Sequence, residues 1–591
     1  MATATTTAQD EKKKLPRDPA REVVETIVFV VVLVLLLKLF VTEAFVIPTG
    51  SMAETLYGYQ KAITCPKCGH EFPVNSHDEV EANQQTRERH KLVGYCCPNC
   101  RYQGRVDDLN PWPQNRTGDR VLVLKPLYHI QSPHRGDVVV FKYPDAPQEN
   151  HVAANYIKRA MGFGGETIAI HRGKLFVTTS LQYLPPLFKQ PENPLDLWRS
   201  EYMYQNGGEA DRLFEASRKA GFPAGPISAL PPALKEHFKP LLDEGFPADR
   251  SGFVEIRKEA PQLLADRRIV WDNDKQPKDL AGATPPRWAP DPNRSQSGRW
   301  NADNAQQPRA FSHNGSELDW IRYQHLVWKN EGNRFTPWRW TDKDSTKPVA
   351  GPVDNVLGYN AGIDLHPMNR EEHSRDTGPD ASRWVGDLIL ECEIEIAAGS
   401  EVLLELSRGW DRFQAKFGNG LVALSRIGEK GPEFGNPTRP CKVTAGTYKL
   451  RFANVDSRLA VWVDETRIDF GAEGDYSPFE PDVWDTADTQ REGWTLKNDI
   501  EGPACVGARG PVAGIRGIKL FRDVYYTRTG DGSGADTFYV HPGHYLCLGD
   551  NSAQSSDSRK WGTVPDRLML GKAVFVFWPA FPSPNRVGFI K

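Results

Sequence analysis

From Ile27 to Leu37 every residue is Ile, Val, Phe or Leu, and beyond Lys38 the apolar character resumes at Leu39, Phe40 and Val41. The run from Val23 to Val41, about 19 residues, approaches the roughly 20 a helix needs to cross a hydrocarbon layer. A cleaved signal peptide is the competing reading, but its apolar stretch is normally about 7–15 residues and ends at a small-x-small site. A transmembrane helix is therefore expected over residues 23–43, behind a cytoplasmic tail of residues 1–22. Lys12, Lys13, Lys14, Arg17 and Arg21 precede the span, among Asp10, Glu11, Asp18, Glu22 and Glu25. The positive-inside bias then puts the N-terminus in the cytoplasm and everything after the span on the outer side.

A chain of 591 residues holds several domains rather than one. Its 39% hydrophobic and 25% charged residues are those of globular protein, and a net charge of −3 leaves no basic excess to attract nucleic acid. The 50 Gly and 46 Pro, beside 16 Trp, 18 Tyr and 27 Phe, favour strands and turns over a helical bundle. The expected fold class is mainly β.

Directly beyond the span the chain reads Phe45-Val46-Ile47-Pro48-Thr49-Gly50-Ser51-Met52. Alone, Ser51 is an ordinary turn residue. Three further segments change that reading. Gly118-Asp119-Arg120 and Arg135-Gly136-Asp137 are turns running into apolar strands, and the second leads to Tyr156-Ile157-Lys158-Arg159-Ala160-Met161. Near the C-terminus stand Gly549-Asp550-Asn551, Ser555 and Asp557-Ser558-Arg559.

In this order, behind an N-terminal anchor, these segments resemble the signature boxes of bacterial type I signal peptidases, serine proteases that remove signal peptides. The resemblance implies an antiparallel β catalytic core over residues 44–60, 115–178 and 536–591. It implies a Ser–Lys dyad, with Ser51 as nucleophile and Lys158 as general base, and no catalytic cofactor. Thr49 would contribute its hydroxyl to the oxyanion hole, Ser555 would hydrogen-bond and orient Lys158, and Asp557 with Arg559 would form a supporting ion pair. The chemistry is self-consistent, since a serine hydroxyl needs an adjacent base and a lysine serves only when burial keeps it neutral. Two positions depart from the family pattern, Glu54 in place of a common proline and Gln554 in place of a frequent asparagine.

Lysine at position 158 points to the bacterial branch rather than the endoplasmic-reticulum type, which uses histidine; the inner mitochondrial membrane peptidase shares the lysine and stays open. The resemblance further implies exported preproteins as substrates, bound as an added extended strand, and a bacterial inner-membrane location with the catalytic part on the periplasmic side. A rival from another class is a membrane-tethered scaffold that captures a glycan or protein on a β-sandwich, with a vestigial peptidase core.

Two insertions interrupt the core. Cys65-Pro66-Lys67-Cys68 and Cys97-Pro98-Asn99-Cys100 are paired Cys-x-x-Cys knuckles within residues 61–114, the arrangement of a zinc ribbon. Cys65, Cys68, Cys97 and Cys100 are the expected ligands of a structural zinc; disulfides, or iron in a rubredoxin-like site, are the alternatives. The larger insertion comprises an irregular, partly helical part over 180–379, with amphipathic stretches at Glu209–Ala220 and Ala233–Glu244, and a β-sandwich over 380–527. In the latter, Leu388, Leu390, Cys392, Ile394 and Ile396 alternate with polar residues, as do Tyr448, Leu450 and Phe452. The pattern resembles laminin-G or concanavalin-like jelly rolls, in which Trp410 or Trp462 would stack on a sugar or instead fill the core. The large insertion is expected to be a separable module whose removal leaves cleavage intact.

Overall fold

The computed structural model describes residues 19–82, 89–143, 154–181, 208–223, 225–277, 285–327, 348–361, 384–428, 434–477, 497–528, 535–579 and 586–591. The molecule is mainly β, built from antiparallel sheets.

The sheet that carries the site runs in the order Thr42–Val46, Arg120–Leu124, Met569–Trp578, Val138–Lys142, Asn155–Phe163, His544–Leu548 and Val564–Pro565. Its strands come from both ends of the sequence, so residues 42–163 and 544–578 contribute to one core. Val121, Val123, Val138, Val140, Ala573 and Val576 pack there against Ile47, Met52 and Leu56 of the segment containing Ser51. A second sheet places Thr167–His171 between Lys174–Thr178 and Asp536–Tyr539, so the two ends of the large insertion leave from strands flanking the same neighbour.

The helix Pro19–Leu36 carries Arg21, Glu22 and Glu25 in its first two turns, and Arg21 is paired with Glu25 at 2.7 Å. A π turn follows over Leu37–Val41, and the strand Thr42–Val46 takes up Thr42 and Glu43, which the expected span had included. Among the described residues no helix is long and apolar enough to cross a membrane. Every residue of Pro19–Leu36 is exposed. Residues 1–18, most of the expected cytoplasmic tail, lie outside the described residues.

The β-sandwich begins well before residue 380. One of its sheets is built around Val512–Arg522, Leu388–Ile396 and Gly446–Val455, and the other around Ala504–Arg509, Glu401–Arg408 and Asp411–Gly418. Arg268–Asp272, Trp300–Ala302 and Phe311–His313 extend the first sheet; Trp288–Pro290 and Asp319–Tyr323 extend the second. These early strands are three to five residues long and broken by turns, too short to display a period of two. The alternation read at Leu388, Leu390, Cys392, Ile394 and Ile396 points into the core, where Val402, Leu404, Phe413 and Phe417 meet it. Trp462 is 2% exposed against Ile389 and Ala453, so it fills the structure and cannot stack on a sugar. Helix Gly208–Lys219 forms where amphipathic spacing places one. The stretch 233–244 is broken into Pro232–Lys235, a 3-10 turn over Glu236–Phe238 and Lys239–Asp243. Pro240, without an N–H, can begin a helix but not continue one.

Candidate active site

Ser51 lies on the turn after Pro48. Gly50 is a glycine of necessity there, because a Cβ would lie 2.2 Å from Cε1 of Tyr359. Lys158 stands in the strand Asn155–Phe163, paired with Val139, and projects from that sheet to the turn. Its Nζ donates to Ser51 Oγ at 2.7 Å and to the Ile157 carbonyl at 2.9 Å. Ser51 is buried and Lys158 is 3% exposed. Burial pulls the lysine pKa down to about 8, against the opposing attraction of Asp557. At that value a substantial neutral fraction exists near physiological pH.

The loop after His544–Leu548 brackets the serine turn. The Asn551 N–H donates to the Ser51 carbonyl at 3.1 Å, and its side-chain amide donates to the Gly50 carbonyl at 2.9 Å. Asp550 receives both arms of Arg159, at 2.8 and 2.6 Å, and the Thr55 hydroxyl at 2.6 Å. Burial raises the Asp550 pKa, but Arg159 outweighs it and holds the carboxyl below its usual range. On the other side, Asp119 accepts from the Tyr57 N–H at 2.9 Å and pairs with Arg586, whose guanidinium also donates to the Glu54 and Thr55 carbonyls.

Asp557 and Arg559 form a two-armed ion pair at 2.8 and 2.7 Å, both buried. Asp557 also accepts the Gly549 N–H at 2.9 Å, while Arg559 reaches the Ser552 carbonyl and the Thr527 carbonyl and hydroxyl. The pair therefore fixes the loop that brackets Ser51. Burial raises the Asp557 pKa and its bonds to Arg559 bring it below the usual value.

Ser555 departs from expectation. Its hydroxyl makes no hydrogen bond to Lys158 and is buried without a hydrogen-bond partner among the described residues, although the nearby Asp557 carboxylate feels it. It lies beside Gly549, where an added Cβ would meet Ser555 Oγ at 2.1 Å and the Ser51 carbonyl at 2.6 Å. The two hydrogen bonds of Lys158 go to Ser51 and to the Ile157 carbonyl of its own strand. Thr49, two residues ahead of Ser51 on the same turn, is exposed.

Residues of the large insertion contact this site, which a fully separable module would not do. Tyr359 covers Gly50 and stacks on Tyr57 with centroids 5.3 Å apart. Asn360 and Asn551 exchange amide hydrogen bonds at 2.6 and 2.7 Å. Asp266 lies 3.4 Å from the Arg159 guanidinium, and Arg268 stands 3.8 Å from Glu54, the position that departs from the family pattern. Asn551, Asp550 and Arg159 lay within motifs singled out in the sequence, but their holding roles did not. Tyr359 and Asn360 lie in a stretch without periodicity, and nothing local marks them.

The four cysteines converge. Their Sγ atoms lie within 4.8 Å of one another, with Cys65 to Cys100 and Cys68 to Cys97 each at 3.6 Å, and all four are buried and unoxidised. Sulfurs bound tetrahedrally at about 2.3 Å from one ion would stand close to that spacing, so the donor set suits zinc. Gly69 and Arg101 at positive φ close the two knuckles, with Gly69 N–H donating to Cys65 and Arg101 N–H to Cys97. The lobe is joined to the site: Arg101 pairs with Asp354 at 2.8 Å, and Pro98 packs on Gly358, beside Tyr359.

A sequence model of the family described as "Signal peptidase, peptidase S26" matches residues 103–218 and 519–578, segments that contain Lys158, Ser555, Asp557 and Arg559. The similarity is to signal peptidases. Signal peptidase I of Leptolyngbya laminosa is 34% identical over 67 residues, 11% of this chain and 33% of that protein. Signal peptidase I of Pseudomonas aeruginosa is 41% identical over 56 residues, 8% of this chain and 19% of the relative. A probable thylakoidal processing peptidase of Arabidopsis thaliana is 36% identical over 55 residues, 9% and 14% respectively. The chain thus spans a third or less of the curated relatives it matches. Among solved structures, a galectin of Caenorhabditis elegans covers 23% of this chain and 83% of its own, at 10% identity and a TM-score of 0.16. A Bacillus licheniformis β-glucanase covers 23% and 67%, at 10% identity and a TM-score of 0.17. Scores this low carry no argument.

Proposed function

We propose that this chain is a membrane-anchored serine endopeptidase that removes signal peptides from exported preproteins. The observation that carries the reading is the 2.7 Å contact between Lys158 Nζ and Ser51 Oγ inside a buried site that lowers the lysine pKa. In its neutral form the Lys158 amine takes the proton of the serine hydroxyl as Ser51 Oγ attacks the scissile carbonyl. The ammonium then returns that proton to the leaving amine, and water repeats the sequence on the acyl-enzyme. Thr49 and the Ser51 backbone N–H are assigned to the oxyanion, a contribution worth on the order of a hundred-fold or more in rate for one donor. Asp557 and Arg559 keep the bracketing loop in place and take no proton.

The apolar residues from Val23 to Val41 are assigned to the bilayer of a bacterial inner membrane, with the N-terminus inside and the catalytic part outside. Their exposure along Pro19–Leu36 supports this. Cys65, Cys68, Cys97 and Cys100 are assigned to a structural zinc, which when bound would cross-link the two knuckles and leave no open position for chemistry.

The test is incubation of the detergent-purified full chain with a preprotein, followed by mass determination of both fragments. A single cut after a small residue at the signal-peptide boundary supports the reading. An intact preprotein, under conditions where the enzyme is folded, rejects it.

A further inference from the structure

A cavity of about 30 Å³ lies where the large insertion meets the loop that brackets Ser51. Since one water needs about 10–15 Å³ by this measure, it has room for two waters or one small ion. Its lining includes Arg268, Arg522, Asn355, Asn360, Asn551 and Ser552.

The two arginines are its unusual feature. Arg268 and Arg522 are direct cross-strand partners, so their side chains leave the same face of the sheet side by side, and each is 4% exposed. Like charges directly opposed on neighbouring strands repel, and burial strengthens the repulsion. Arg522 donates only to carbonyls, those of Asp523, Asn355 and Val356, and has no carboxylate partner among the described ion pairs. Burial, and then Arg268, bring its pKa down to about 10, so it remains charged at neutral pH. Arg268 stands 3.8 Å from Glu54 and is also felt by Asp550 and Asp266, and its buried Nη2 has no hydrogen-bond partner among the described residues. Asp550 also lines the cavity, but Arg159 and Thr55 occupy its two oxygens. Arg522 therefore has no carboxylate in direct contact among the described residues, although Glu54 and Asp354 attract it from further away, and it stands with the unpartnered Arg268 Nη2 beside a space of ionic size.

We propose that this cavity is an anion site, in which a small free monoanion of chloride size is held between the Arg268 and Arg522 guanidiniums. The ion removes the repulsion across the strand pair and ties the insertion to the Asp550–Ala553 loop, whose Asn551 holds the Ser51 turn. Binding does not depend on the peptidase reading; only its effect on cleavage does.

The test uses the full chain in detergent at constant ionic strength, with sodium gluconate, an anion too large for the cavity, replaced stepwise by sodium chloride. The expected result is a Tm that rises with chloride and saturates, and the loss of that rise in Arg522→Gln. An unchanged Tm, or the same rise in a folded Arg522→Gln protein, overturns the proposal. Should the variant not fold, diffraction from wild-type crystals soaked in bromide decides: an anomalous peak between the two guanidiniums supports the site, and its absence rejects it.

Discussion

Lys158 Nζ stands 2.7 Å from Ser51 Oγ while being 3% exposed, which couples the reactivity of the serine to the charge of a buried amine. The lysine pKa is lowered from 10.5 to about 8, and the proposed base is the neutral form. Cleavage should therefore rise with pH through a limb near 8 and fall in acid, as measured by kcat/KM across pH. The same shift affects stability. The folded state binds fewer protons between pH 8 and 10.5, so the cost of burying the ammonium is full below pH 8 and is relieved as pH rises to 10.5. Lys158→Arg should be as inactive as Lys158→Met, since a guanidinium stays protonated. Retained activity in the arginine variant removes Lys158 from the mechanism.

Asn360 reaches the Ser51 turn through its paired amide bonds to Asn551. Asn360→Ala should lower kcat on the order of ten- to a hundred-fold with KM little changed, as displacement of a reacting group by a fraction of an ångström does. The lost neutral hydrogen bonds should cost about 1 kcal/mol each in stability. Steady-state kinetics beside thermal unfolding separate the two effects; an unchanged kcat means that Asn551 holds the turn unaided.

Replacing residues 180–535 with a short flexible linker should abolish cleavage. The deletion removes Asp266 from Arg159, Tyr359 from Gly50, Asn360 from Asn551 and Thr527 from Arg559. A folded, shortened chain that still cuts a preprotein at the wild-type rate would show these contacts to be incidental.

How far the sequence could be read depended on the range of the signal. Ser51 and Lys158 stand in short motifs whose residue types announce their chemistry, and the cysteine knuckles do the same through spacing. The long strands around Leu388–Ile396 revealed themselves by alternation. The joining of the insertion to the site did not, because it rests on single contacts such as Tyr359 on Gly50, more than 300 residues apart, between segments with no pattern of their own. The short strands from Arg268 to Tyr323 were hidden for a related reason, since pairing with distant strands rather than local periodicity creates them. The Ser555 hydroxyl marks the opposite limit: its residue type suited a bond to Lys158, but the two bonds of the lysine go to Ser51 and Ile157 and the hydroxyl has no hydrogen-bond partner among the described residues.

Cys65→Ser with Cys68→Ser should lower Tm by several degrees or more and release zinc, since a structural site contributes folding energy directly. Because Arg101 and Pro98 abut the segment carrying Tyr359, chelation should also slow cleavage, without changing the cut site. One zinc per chain by elemental analysis is expected; no metal, with the four thiols oxidised in pairs, favours the disulfide alternative.

The most direct test of the account is the rate at which full-length Ser51→Ala cleaves a preprotein, compared with wild type at equal folded concentration. Ser51 is a small side chain on a turn, so its loss, with that of its one bond to Lys158, lowers Tm by only a few degrees and leaves the chain folded, while removal of a nucleophile lowers kcat by many orders of magnitude. The account predicts no detectable mature product from the variant over a time in which wild type converts all of its substrate. Cleavage at the wild-type rate by Ser51→Ala would contradict it.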